Sequence, residues 1–193
     1  MQQPQEKPLR ERIEHTAALL HLLCDCLAFT VVVFLRRDFG RRFIGLQGVG
    51  ILAPLLWPIV MPAHDPRPMF LFFALVLLAC LVNRLNGLIR RSAIAELHSR
   101  YSGIPLLRLV LRNWNEVAVK QVAEPLFVIA VAMALEPLSP QLAAYLAVAA
   151  GALACSVAAD RAAEHRRVQD LHDAFLEQQH LAEQFRSRLN QRR

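Results

Sequence analysis

The chain has 193 residues, 55% of them hydrophobic and 20% charged, with 22 Lys and Arg against 16 Asp and Glu and a formal net charge of +6. The charges fall in blocks between apolar runs close to the roughly 20 residues that cross a bilayer, which argues against a soluble domain with charge interleaved at helical or strand spacing. Because the basic residues flank those runs, anionic lipid headgroups are the expected counter-ions, and nucleic acid is not the expected partner.

Residues 1–16 form a polar tail with Pro4 and Pro8. The next segment, 17–42, is an apolar run followed by a basic link carrying Arg36, Arg37, Arg41 and Arg42. No small-residue cleavage site follows the run, so removal as a signal peptide is not expected. His21 and Asp25 lie four residues apart within it and share one helix face. A charged Asp at the bilayer centre costs about 2.5–3.5 kcal/mol on insertion scales. The segment is therefore read as an interfacial helix, with a full first span as the alternative.

Residues 43–89 are read as a transmembrane hairpin. Its first arm, 43–63, contains Gly45, Gly48, Gly50, Pro54 and Pro58, and its second, 69–89, ends in Asn83, Arg84 and Asn86. Arg84 is placed to snorkel to phosphate. Residues 90–121 are a basic cytoplasmic segment with Arg90 and Arg91. Within it, Leu106, Leu107, Val110, Leu111, Trp114 and Val117 recur at helical spacing, with Arg108, Arg112, Glu116 and Lys120 on another face. This pattern predicts an interfacial helix that sets Trp114 and the two arginines among headgroups.

Residues 122–159 are read as a second hairpin, turning at Glu136–Pro137–Leu138–Ser139–Pro140, where Ser139 can cap the next helix and Pro140 suits its first position. Its second arm carries small residues every four positions, at Ala143, Ala147, Gly151, Cys155 and Ala159. Such a ladder lets helix backbones approach closely, either within the chain or between subunits. Residues 160–193 are read as a cytoplasmic amphipathic helix. Val168, Leu171, Phe175, Gln178, Ala182, Phe185 and Leu189 alternate at spacings of three and four, the pattern of a coiled-coil seam.

Distribution of Lys and Arg orients the whole. If residues 17–35 do not cross, the split between the two sides is 21 to 1; if all five runs cross, it is 18 to 4. The positive-inside rule favours the first arrangement and puts the C-terminus in the cytoplasm of a cell inner (plasma) membrane protein.

Signals for chemistry are sparse. His21 with Asp25 could hydrogen-bond or offer two metal ligands, and two ligands make no site. Glu124 at a helix start suits the helix dipole, with intramembrane proton transfer as the alternative. The polar stretch 98–105, with His98 and Tyr101, is a candidate contact for a partner or a headgroup. Phosphate-loop, His-Glu-x-x-His, dinucleotide and Gly-x-Ser-x-Gly patterns are missing. The cysteines, Cys24, Cys26, Cys80 and Cys155, all lie in apolar runs without disulfide or zinc spacing. No cofactor or metal is expected.

The fold class read from these features is an all-α integral membrane protein. The expected function is that of a small non-catalytic inner-membrane subunit or scaffold that contacts membrane lipids, assembles through its small-residue span as a homo- or hetero-oligomer with membrane or cytoplasmic proteins, and docks cytoplasmic partners through its C-terminal helix. The alternative is a transporter, channel subunit or lipid-modifying enzyme using Asp25, Arg84, His98 and Glu124.

Overall fold

A computed structural model describes residues 6–37, 46–62, 65–89 and 103–191. They form α1 (Glu6–Leu35), β1 (Arg36–Arg37), a 3₁₀ segment (Leu46–Leu52), α2 (Ala53–Val60), α3 (Arg67–Ile89), β2 (Ile104–Pro105), a second 3₁₀ turn (Leu106–Leu109), α4 (Glu116–Ala118), a π-helical turn (Val119–Ala123), α5 (Glu124–Leu135) and α6 (Pro140–Gln191). Among the described residues, four helical stretches are long and apolar enough to cross a membrane: His15–Leu35, Arg67–Asn86, Glu116–Leu135 and Pro140–Leu181. The chain divides into two units, Met1–Val157 and Ala158–Arg193, with α6 crossing the boundary.

Local chemistry sets the helix ends. Asp65 accepts a hydrogen bond from the Arg67 backbone N–H (3.0 Å), while Met69 N–H bonds Pro66 O, which starts α3. Leu138 and Ser139 N–H both return to Leu135 O and close the turn after α5. Ser139 Oγ then accepts from Leu142 N–H at 3.3 Å and Pro140 occupies the first helical position, as those residues predict. In α1, Val31, Val32 and Val33 are modest helix formers. Helix persists through them because an apolar surrounding leaves the backbone no partner except its own carbonyls.

The core of the first unit joins Ala28, Val32 and Leu35 of α1 to Met69 of α3, Val128 and Ala132 of α5, and Leu146, Ala149 and Leu153 of α6. Tyr145 is its centre. Trp57 meets the Tyr145 ring edge-on at 5.3 Å and Phe72 at 5.7 Å, and Tyr145 itself is fully buried. Thr30 Oγ1 donates to Leu27 O, so the Tyr145 hydroxyl is the donor in the 2.9 Å bond between the two side chains. In the second unit, every described side chain from 160 to 181 is exposed.

Three segment expectations change. Among the described residues of 43–63 there is no span-length α-helix: a seven-residue 3₁₀ segment runs into an eight-residue α2. Glycine entropy and the missing N–H groups of Pro54 and Pro58 disfavour a long α-helix there. Gly50 also packs so tightly on α1 that a Cβ would overlap the Cys26 carbonyl. Residues 17–35 fall within His15–Leu35, the length that the alternative of a full first span requires; positions 28–33 and Leu35 are buried in the core, and 17–20 and Leu23 are exposed. The single amphipathic helix over 105–121 is absent; a 3₁₀ turn is followed by non-helical residues, and helix resumes only at Glu116. Asn113 and Asn115 favour turns over helix interior. From Glu116 the helical stretch continues to Leu135, so the first arm of the second hairpin begins before residue 122.

Candidate functional site

The strongest polar feature is a buried ion pair that no local pattern announces. At Leu35 helix α1 ends, and Arg36 and Arg37 pair antiparallel with Pro105 and Ile104 respectively. Gly103, buried and directly before β2, has φ 88°, a backbone region that residues with a Cβ rarely adopt. Pro105 is tolerated because the two-residue ladder is all edge. This pairing aims the Arg36 side chain at Glu124, the first residue of α5. Arg36 Nε donates to Oε1 at 3.1 Å and Oε2 at 2.9 Å, and Nη2 donates to Oε2 at 2.6 Å. The two side chains are 4% and 0% exposed.

Glu124 follows the π-helical turn Val119–Ala123. A π-turn admits an extra residue and rotates the next helical turns relative to a continuous α-helix. Val119 is fully buried there, and the neighbouring Glu116 accepts from Lys120 Nζ (2.8 Å) and Arg108 Nη1 (3.4 Å). Chemically the arrangement is a fixed ion pair. One guanidinium, which keeps its proton in proteins, occupies both carboxylate oxygens. The result ties the end of α1, strand β2 and the start of α5 together.

A second polar group lies further along α1. His21 Nδ1 stands 3.5 Å from Asp25 Oδ2, and Ser156 Oγ of α6 donates to Asp25 Oδ1. The side chains of His21 and Asp25 are 38% and 11% exposed. Asn83 Nδ2 donates to Val33 O at 3.0 Å, which joins α3 to α1. Asp25 and Arg36 are eleven residues apart on α1, or about 16 Å at the α-helical rise, so the two groups are separate. Among the described residues no cluster of three or more His, Cys, Asp or Glu is arranged to hold a metal ion.

Other predicted positions are scattered. Arg36, expected at headgroups, is corrected to a buried partner of Glu124: pairing with β2 draws it inward. Arg37, Arg84, Arg108, Arg112 and Trp114 are exposed. Arg41, Arg42, Arg90, Arg91, His98 and Tyr101 lie outside the described residues. The small-residue ladder divides: Ala143 is buried and Ala159 half-buried, whereas Ala147, Gly151 and Cys155 are exposed. The face of α6 that packs within the chain is instead Leu142, Tyr145, Leu146, Ala149, Ala150 and Leu153. Val168, Leu171, Phe175 and Gln178 are exposed, and Ala182, Phe185 and Leu189 lie beyond the last described side chain, Leu181.

Sequence reading did not single out Thr30, Tyr145 and Ser156 as partners. Their signal was available: each is a hydroxyl within an otherwise apolar run, and such a group needs a hydrogen-bond partner when buried. Comparison with protein-family models, with curated proteins and with solved structures finds no match.

Proposed function

We propose that the chain is a small membrane-embedded assembly subunit, anchored by the first unit and docking partner helices through residues 158–193. The observation that carries this reading is the uncovered apolar line of the second unit. Val168 is 59% exposed, Leu171 72% and Phe175 55%. A lone helix cannot bury its own stripe, and helices of this kind gain most of their stability from packing that stripe against another element. Within the first unit, Ala147, Gly151 and Cys155 of α6 form a separate open line of small residues. A Cβ on Gly151 would meet nothing within 4 Å, which leaves room for the close backbone approach that small residues permit.

Membrane placement draws support from the four apolar helices and from the β1–β2 pairing. Two links joined by backbone hydrogen bonds share one side of a bilayer, so an even number of crossings separates them. A crossing by α3 then requires a return crossing by residues 46–60. Seven residues of 3₁₀ helix and eight of α-helix supply about 26 Å, close to the hydrocarbon thickness. The excess of arginine on the links and the C-terminal helix supports the reading that this side is the cytoplasm of an inner membrane.

The test is recovery of a complex from mild detergent, measured by light scattering and crosslinking, for the wild type and for the Leu171→Asp/Phe175→Asp variant. The expected result is an oligomer or hetero-complex that the paired substitution dissociates while the helical far-UV signal is kept. A chain that is monomeric at every concentration, with the substitutions changing no interaction, refutes the proposal.

A further inference from the structure

A cavity of about 460 Å³ opens between α1, α3, α5 and α6. Its floor is Val31 and Leu35 of α1, Val128 of α5, and Leu142 and Leu146 of α6, all buried. Its rim is Leu71 and Leu75 of α3 with Phe127 of α5 and Leu138 of the following turn, all exposed. Ser139 is the one polar side chain on the wall, and its hydroxyl is engaged by Leu142 N–H.

We infer that this cavity is a seat for one acyl chain of a bilayer phospholipid. The inference rests on the membrane placement proposed above and goes beyond it by naming a ligand class and a site. Three features point to this occupant. Among the described residues the wall carries no charged side chain and a single hydroxyl, Ser139, already tied to Leu142 N–H, whereas specific polar ligands need a few convergent polar groups. The exposed rim residues Leu71, Leu75 and Phe127 belong to two span-length helices, on which Leu78 and Met133 are also 55% and 63% exposed, so a chain enters sideways without leaving hydrocarbon. At roughly 30 Å³ per water-sized group, the space holds on the order of 15 methylene-sized groups, the scale of a single acyl chain. Protein interiors are close-packed, and an apolar void of this size left empty forfeits contacts along its whole lining. Leu35 and Val128 on the floor lie one residue from Arg36 and four from Glu124, so the ion pair holds the α1 and α5 walls in place.

The test uses the full chain in nanodiscs of phosphatidylcholine carrying a photoactivatable diazirine on one acyl chain, with crosslinked residues mapped by peptide mass spectrometry. The expected result is labelling of Phe72, Val131 and Leu135, on the cavity wall, in excess of labelling at Leu78 and Met133. In Val131→Trp, which fills the cavity, wall labelling falls roughly tenfold, the change that about 1.4 kcal/mol of lost affinity produces. Labelling at Leu78 and Met133 is unchanged. Leu75→Trp fills the same space from α3 and supplies the result if Val131→Trp does not fold. Wall labelling no greater than outer-face labelling, or unaffected by a folded filling variant, overturns the acyl seat and leaves the membrane placement standing. Labelling at neither set of residues overturns both.

Discussion

Arg36→Met removes the guanidinium that meets Glu124 through three contacts of 2.6–3.1 Å and leaves a fully buried carboxylate behind. Methionine keeps most of the side-chain length, so packing is disturbed less than the charge. Removing one member of a buried pair costs about 3–5 kcal/mol, because the survivor stays desolvated without its counter-charge. That corresponds to a shift of more than about a hundredfold in the folding equilibrium. The double variant Arg36→Met/Glu124→Leu removes both charges and is expected to be near neutral or even stabilised by about 1–4 kcal/mol. With wild type and Glu124→Leu alone, these variants form a double-mutant cycle with a coupling of about 3 kcal/mol or more, at the upper end of what contacting residues show. Unfolding by SDS titration in mixed micelles is the assay, with far-UV circular dichroism and the fluorescence of Trp57, which packs on Tyr145 in the core, as readouts. Refutation is a single substitution that costs less than about 1 kcal/mol, the range of exposed pairs, or single costs that simply add in the double variant.

Two further outcomes test the packing of α1 and α6. Gly50→Ala places a methyl group into the Cys26 carbonyl, and since both partners are backbone the clash is relieved only by separating the 3₁₀ segment from α1. The expected loss is about 1–3 kcal/mol, as for overpacking, and a variant as stable as wild type in the same SDS titration contradicts the close approach. On α6, Gly151→Leu faces open space and is expected to change the unfolding of the isolated chain by less than about 0.5 kcal/mol while weakening recovery of the complex. Ala150→Leu, at a fully buried position, is expected to destabilise the chain itself by about 1–3 kcal/mol. The reverse order of effects, read by unfolding and by light scattering, removes the assignment of the two faces.

Some of this architecture was legible in residue order alone. Composition and the length of apolar runs determine that the chain is helical with stretches long enough to cross a bilayer, because each apolar segment must satisfy its own backbone. The turn before α6 is written in Ser139 and Pro140, whose effects are local. His21 and Asp25 meet on one helix face because four residues make about one turn. Tertiary structure alone decided that residues 28–33 and Leu35 are core, that the Gly- and Pro-bearing run 46–60 is short, and that Arg36 belongs with Glu124 across 88 positions. Where lipid is the solvent, a side chain is equally apolar whether it faces protein or hydrocarbon, so periodicity no longer tells inside from outside. The ion pair escapes local reading for another reason: it exists only once β1 has found β2 and the π-turn has set the face of α5, and neither event is coded within a helix turn of Arg36.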